Sequence, residues 1–413
     1  MVPITQSKSC LVAGHICLDV IPTLLGAGDF ESTFRPGRLL ETGPAIMSTG
    51  GAVSNTGLAM HKLGISTRLM GKIGSDLFGQ AILDVVKSQG EHLTAGMSIV
   101  PGEASSYTVI LNPPNVDRIF LHCPGANDTF GAGDVNYELL RQTNLFHFGY
   151  PPLMKRLYQN DGAELVRMFK QAKATGVTTS LDMAMPDPTS PSGQANWPAI
   201  LKAVLPAVDL FVPSIEEILL MLYPELFKEV TTGVAKITPP LASKIAGDLL
   251  SMGAKVVMLK AGHLGLYLRT SNEVTLAELG RARPSNLTRW ANREFWAPVF
   301  QTQLVGATGA GDATIAGFLS ALLRDLPPTE AVTVAAAVGA CNVEAADAIS
   351  GLRSWEETLA RVEAGWPRQQ LNFDEVPGWR FDPSRQLWLG PNDPTGISPK
   401  MDADSHRFLI SNF

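Results

Sequence analysis

Cysteine is scarce in this chain: four in 413 residues, at Cys10, Cys17, Cys123 and Cys341. They lie far apart, and no pair has metal-ligand spacing. A disulfide framework and a cysteine-held metal are both excluded, and a reduced, cytoplasmic compartment is the default. Basic residues are outnumbered: 33 Lys and Arg against 39 Asp and Glu give a net charge of -6 and a pI near 5.7. Nucleic acid is therefore not expected as a general partner. No uninterrupted apolar run reaches the roughly 18 residues that span a bilayer, so no membrane partner is expected. The Ala-rich stretch Ala331–Ala346 is broken by Asn342 and Glu344 and reads as a buried helix. The first ten residues, Met1 to Cys10, carry one lysine and lead into a short apolar run, which is too short and polar-edged for a signal peptide. There is no Gly-x-x-x-x-Gly-Lys-[Ser/Thr], so a Walker P-loop is excluded.

What is present is 45% hydrophobic residues, enough for one large α/β domain or two domains. The chemistry is expected at Gly306-Ala307-Thr308-Gly309-Ala310-Gly311-Asp312. A run with strand character, Phe300 to Val305, is predicted to lead in, and a small-residue apolar helix, Ala313 to Leu323, to lead out. The glycines let the backbone turn tightly against a ligand. The first helical turn offers unpaired N–H groups and the positive end of the helix dipole, which together attract an anion. A carboxylate at Asp312 would lie beside a phosphate bound there and is placed to take a proton from an attacking hydroxyl. Gly-Ala-Gly-Asp occurs twice more. Gly26 to Asp29 reads as a loop. Asp128 to Asp134 has no good strand before it, and a short polar helix pattern, Val135 to Gln142, after it. A dinucleotide-binding oxidoreductase fits less well, because Gly306-x-x-Gly309-x-Gly311 has the wrong order of glycines and lies far from the N-terminus.

In chain order, Cys10–Cys17 reads as a core strand. Gly50-Gly51-Ala52-Val53-Ser54-Asn55 opens a helix that stops at Gly64, Thr67–Ile73 is the next strand, and Gly74-Ser75-Asp76 caps a helix to Gln89. Two β-rich segments, about 20–49 and 94–126, are expected to pair into one accessory sheet, with a turn at Asn112-Pro113-Pro114-Asn115. Strands are then predicted at Leu145–Gly149, Thr178–Asp182, Leu210–Pro213 and Lys255–Ala261. The helices between them fall near Gly162–Thr175, Pro198–Leu205, Ile215–Leu222 and Pro239–Met252. This alternation implies a parallel sheet covered on both faces. Ser354–Ala364 reads as the last helix. From Gln369 the chain turns rich in Pro, Asp and Trp, and Trp379 and Trp388 suggest a tail that packs on the surface or on a partner.

This ordered set of motifs resembles the ribokinase-like carbohydrate kinases, the PfkB family, over roughly residues 8–365. Gly14-His15-Ile16-Cys17-Leu18-Asp19 is similar to a first-strand motif whose acid binds sugar hydroxyls. Gly50-Gly51-Ala52-Val53-Ser54-Asn55 is similar to a Gly-Gly-x-x-x-Asn segment that also meets the sugar. Gly71 to Gly79 resembles Gly-x-x-Gly-x-Asp-x-x-Gly, and Gly309-Ala310-Gly311-Asp312 the C-terminal signature. The resemblance implies a three-layer α/β/α fold with a mostly parallel central sheet and a small β-sheet lid. It implies a kinase domain over 1–368 and an extension over 369–413. The activity implied is phosphoryl transfer from ATP to a hydroxyl of a sugar or sugar-like molecule. Asp312 would be the base, and the backbone of Gly309, Ala310 and Gly311 the anion hole. Asp19, Gly50, Gly51 and Asn55 would hold the substrate. Ser214, Glu217, Lys260, Gly262, Gly265 and Thr308 would line the nucleotide, with Glu217 reaching Mg²⁺ through water. The lid suggests a homodimer. Two positions depart from the family pattern. Gly306 stands where an Asp helps hold a monovalent cation, so that cation is left open. Ser214-Ile215-Glu216-Glu217 stands for Asn-x-x-Glu. A catalytically weak sensor that binds a sugar or nucleoside is the alternative. His15, His122 and His147 read as satisfied core histidines.

Overall fold

Strand β1 (Ser9–Gly14) shows why the chain builds a two-faced sheet. Its side chains alternate between two cores: Cys10 and Val12 pack on one face, Leu11 and Ala13 on the other. A strand buried on both faces must be apolar throughout, as a parallel strand between helix layers is. The computed structural model describes residues 8–25, 34–113 and 119–394. The loop expected at Gly26–Asp29, and Pro114, Asn115 and Arg118 of the predicted turn and strand, lie outside the described residues.

Further strands are β2 (Cys17–Leu24), β3 (Thr42–Gly50), β4 (Ser66–Met70), β5 (Lys72–Gly74), β6 (Ser98–Val100), β7 (Tyr107–Leu111) and β8 (Ile119–Cys123). They are followed by β9 (Leu145–Gly149), β10 (Thr178–Leu181), β11 (Leu210–Phe211) and β12 (Val256–Lys260). The last four are β13 (Leu266–Thr270), β14 (Glu294–Ala297), β15 (Arg380–Asp382) and β16 (Leu387–Leu389). The central sheet has ten strands in the order β15-β16-β14-β13-β12-β11-β10-β9-β1-β4. From β4 to β12 neighbours run parallel; from β12 to β15 they run antiparallel. Helices α1 (Ala52–Lys62), α2 (Leu77–Gln89), α3 (Ala310–Leu323), α4 (Pro328–Asn342) and α5 (Trp355–Glu363) contribute to the core cluster that takes Val12. Ala163–Ala174, Trp197–Val204, Ile215–Leu222 and Pro239–Ser251 contribute to the cluster that takes Leu11. The predicted three-layer ribokinase-like fold is the one observed.

The two β-rich segments do pair, as a four-stranded sheet β3-β2-β7-β8 that is antiparallel except between β2 and β7. Asn127 ties this lid to the core. Its side-chain amide donates to the Ile16 carbonyl (2.9 Å) and its carbonyl accepts from the Ile16 N–H (3.2 Å).

Several expectations need correction. Cys10–Cys17 is two strands, because the chain turns at Gly14 (φ 127°) and leaves the central sheet for the lid. Thr67–Ile73 is likewise divided between β4 and β5. Phe300–Val305 is not a strand. It makes one bridge, Phe300 to Arg368, and leaves Leu304 and Val305 exposed, while β16 occupies the edge of β14. The Asp128–Asp134 segment does follow a strand, β8, but that strand belongs to the lid. Its polar groups serve the fold: Asp134 accepts from the Gly131 N–H (2.8 Å) and faces Lys72 (3.5 Å). β13 to β16 were not foreseen.

Candidate active site

The parallel strands end along one edge of the sheet, and from β9 to β12 each carries a functional group at or just beyond that end. Tyr150 follows β9, Asp182 follows β10, Ser214 lies just beyond β11, and Lys260 ends β12. In open α/β sheets ligands bind at this carboxyl edge. The N-terminus of α3 arrives at the same place and brings Asp312, which is 3% exposed.

Three donors hold the Asp312 carboxylate. Asn55 Nδ2 donates to Oδ2 (3.1 Å), Thr56 Oγ1 to Oδ1 (2.9 Å) and the Tyr150 hydroxyl to Oδ2 (2.6 Å). Two of them come from α1, so the Gly50-Gly51 turn and the Gly309-Ala310-Gly311 turn meet through their helices. Tyr150 adopts a left-handed backbone (φ 68°). Burial, then the charges of Asp312 and Asp182, push its hydroxyl well above the ordinary tyrosine range, so it remains a donor. The Asn55 Oδ1 is buried and has no partner among the described residues, the state expected of an acceptor that awaits a ligand hydroxyl.

Gly309 enters α3 at φ 71°, and a Cβ there would meet the Ala348 Cβ at 2.6 Å. Only glycine fits that turn. The Ala310 N–H turns back to the Ala307 carbonyl (3.3 Å), and the N–H groups of Gly311 and Asp312 have no backbone partner among the described residues. Lys260 stands beside them: a Cβ on Gly311 would lie 3.7 Å from its ammonium. The ammonium pairs with Asp182 at 2.6 Å. Burial works against that charge, but the carboxylates of Asp182, Glu217 and Asp312 outweigh it and hold the Lys260 pKa above its ordinary value. Glu217 shares a capping box with Ser214: the Ser214 N–H donates to Glu217 Oε2 (2.7 Å) and Ser214 Oγ accepts from the Glu217 N–H (3.2 Å). The other Glu217 oxygen takes no hydrogen bond among the described residues. Gly262 and Gly265 form the turn between β12 and β13, and the open space around the Gly262 α-carbon adjoins no other candidate. Thr308 lies in the loop before α3.

A second group lies where the lid meets the core. Asp19, on β2, presses on Gly50: a Cβ there would sit 2.4 Å from its Oδ2. It accepts from the Cys17 thiol (3.4 Å). Burial, partly offset by hydrogen bonds from Cys17 and Thr108, pushes its carboxyl up to about 6. His15 lies under Gly51, whose φ of 88° brings a would-be Cβ within 2.6 Å of His15 Nδ1. Its Nε2 is 3.4 Å from His122 Nε2 of the lid, and His122 Nδ1 is 3.0 Å from Thr108 Oγ1. Burial, reinforced by His122, pushes His15 down to about 3, so its ring is neutral.

The structure therefore brings together Asp312, Asn55, Gly309–Gly311, Lys260, Ser214 and Glu217, and places Asp19, Gly50 and Gly51 at the lid. Tyr150, Thr56 and Asp182 had not been foreseen. His15 and His147 are not fully satisfied core histidines. His15 Nδ1 and His147 Nε2 are buried with no partner among the described residues, although His147 Nδ1 lies 2.9 Å from Ser180 Oγ. Among the described residues no cluster of three or more His, Cys, Asp or Glu could cage a metal. No described helix is long and apolar enough to cross a membrane.

Known proteins resemble this chain in sequence and in fold. A model of the pfkB family carbohydrate kinases matches residues 7–355. Probable fructokinase-6, chloroplastic, of Arabidopsis thaliana is 24% identical over 302 residues, which are 70% of this chain and 68% of that protein. Fructokinase-2 of Solanum lycopersicum is 23% identical over 363 residues, 85% of this chain and 95% of that one. Among solved structures, Arabidopsis thaliana ribokinase complexed with ribose and ATP aligns with a TM-score of 0.63 at 18% identity, over 86% of this chain and 98% of that one. Fructokinase with bound ATP from Xylella fastidiosa aligns with a TM-score of 0.63 at 19% identity, over 87% and 99%.

Proposed function

The chain belongs to the pfkB family of carbohydrate kinases, and on that premise we propose that it transfers the terminal phosphoryl group of ATP to a hydroxyl of a small sugar, with Asp312 as general base. The observation that carries this reading is the Asp312 carboxylate, fixed by Asn55, Thr56 and Tyr150 at the first turn of α3. The acceptor oxygen bonds to phosphorus as the bond to the ADP oxygen breaks with its electron pair. The hydroxyl proton passes to Asp312. The N–H groups of Gly309, Ala310 and Gly311 receive the charge on the transferring group. Glu217, with one oxygen outside its capping box, suits Mg²⁺ held through water on the nucleotide phosphates; the ion would neutralise phosphate charge. Ser214, Thr308, Gly262 and Gly265 border the nucleotide in this reading; every residue it uses lies within 1–368, and β15 and β16 of the extension add to the sheet that carries them. The free thiols suit the cytoplasm.

A coupled ADP-release assay with Mg-ATP tests this across fructose, ribose, sugar acids and nucleosides, with and without potassium. One strong acceptor supports the reading. No turnover, with thermal stabilisation by one sugar or nucleoside, would replace it with a sensor.

Asp19, Gly50, Gly51 and Asn55 hold the acceptor, and Asp19 can accept from its hydroxyls with both oxygens only when ionised. With the carboxyl at about 6, acceptor affinity is expected to weaken as pH falls through that value. The acceptor KM should therefore rise on the acid side, and in D19N it should be high and flat with pH. The folded chain holds this proton more tightly than the unfolded chain. The stability the group contributes is thus present below its unfolded value and lost as pH rises through about 6. A wild-type KM that does not change between pH 5 and 7, on the order of one unit either side, would remove Asp19 from the acceptor site.

The lid exposes Ile46, Met47, Phe120 and Leu121, each by more than half. Pairing of two lids would cover these side chains and any open strand edge. Light scattering is expected to give a dimer mass, and M47D/F120D a monomer mass. A monomeric wild type would reject the pairing.

A further inference from the structure

We infer that Lys260 is a charge-stabilising residue of the transfer step, supplying beside Gly311 a fixed positive charge to the phosphoryl group as it moves. This rests on the kinase reading and deepens it. The loop from Gly306 to Gly311 carries no charged side chain of its own. It has little room for one at its start, because a Cβ on Gly306 would lie 2.9 Å from the carbonyl oxygen of Ala345. Lys260 reaches the loop from the sheet instead. Its side chain is 12% exposed and its ammonium is 3.7 Å from the Gly311 Cβ position. Its ammonium pairs with Asp182 at 2.6 Å, and the charges of Glu217 and Asp312 also act on it. Without it the pocket would repel a phosphate. Burying a lysine is costly, and well-packed apolar residues in place of a buried ion pair are often as stable. The pair is explained better by a ligand charge than by the fold.

During transfer the acceptor oxygen bonds to phosphorus, the bond to the ADP oxygen breaks with its electron pair, and the proton goes to Asp312. Lys260 stays protonated and forms no bond. Negative charge spreads over the equatorial and leaving oxygens at that moment, and a fixed ammonium one contact away stabilises it most there.

The competing explanation is that Lys260 only neutralises buried Asp182. The variant D182N/K260M separates the two, since it removes both charges and leaves no buried carboxylate alone. Calorimetric titration compares two probes on the folded protein: Mg-AMP-PNP, a ground-state nucleotide, and Mg-ADP with aluminium fluoride, which mimics the phosphoryl group in transfer. The inference expects AMP-PNP affinity within about threefold of wild type and the fluoride complex weakened about 100-fold, with kcat falling in parallel. K260R, which keeps the charge, should recover most of the loss. Fluoride-complex affinity within about threefold of wild type in the double variant would overturn the inference, as would equal weakening of both probes. A wild type that binds neither probe would overturn the kinase reading, and this inference with it.

Discussion

Asp312→Asn is expected to lower kcat by about 10²–10⁴-fold, while Mg-ATP binding stays within about threefold. The size follows from the role: the variant loses the group that takes the proton and little else. The substitution fits the site without a clash of donors. Thr56 can still donate to the carbonyl of the new side chain. The Tyr150 hydroxyl can turn and accept from the new amide. Asn55 now donates to Asp312 with Nδ2, and its Oδ1 has no partner among the described residues. A flip of the Asn55 amide presents Oδ1 to the NH₂ of the new side chain and keeps the contact. The melting temperature should therefore stay near that of wild type, so that a drop in kcat reports chemistry and not unfolding. Turnover within about tenfold of wild type would remove Asp312 as the base.

Asp312, Asn55 and the glycines could be read from the sequence because each motif is local. A glycine pair before a helix, or Gly-x-Gly-Asp entering one, states its own geometry. Tyr150, Thr56 and Asp182 have no such signature. Tyr150 reaches Asp312 across 162 residues of chain and Thr56 across 256, and only the sheet order brings them together. Lys260 was visible beside a glycine turn, but its approach to Gly311 was not. The fold shows the same division. Long strand–helix alternation gave β9 to β12, with Leu145–Gly149 and Ile215–Leu222 in place to the residue. β15 and β16 have three residues each, too short for any period to register. Phe300–Val305 alternates as a strand does, yet alternation states only that a segment could pair. With β16 on the edge of β14, no partner was left for it.

Ending the chain at Arg368 is expected to leave a protein that does not fold cooperatively, although the family match stops at residue 355. The described tail is built into the central sheet. β16 pairs with β14, with Trp296 opposite Trp388, and β15 pairs with β16. Phe373 packs its ring against Trp296, Trp379 and Trp388 at 5.4, 5.9 and 5.1 Å. The tail also satisfies charge. Glu294 is fully buried and accepts from the Tyr267 hydroxyl (2.6 Å), the Asn392 N–H (2.7 Å) and the Asn392 side-chain amide (2.7 Å). Arg293 pairs with Asp393 at 2.8 Å, with 7% and 0% of their side chains exposed. Truncation removes two of three donors from one buried carboxylate and the carboxylate from a buried guanidinium, and a broken buried pair alone costs about 3–5 kcal/mol. Uncovering the aromatic cluster adds to this, against a total stability of about 5–15 kcal/mol. A milder variant separates packing from charge. Trp388→Ala should cost about 3 kcal/mol, the low end for a buried tryptophan, because its indole N–H is already buried without a partner among the described residues and its removal relieves that penalty. Urea titrations followed by circular dichroism read both effects. A soluble 1–368 chain with a cooperative transition near that of the full protein would show that the tail only covers a sheet complete without it.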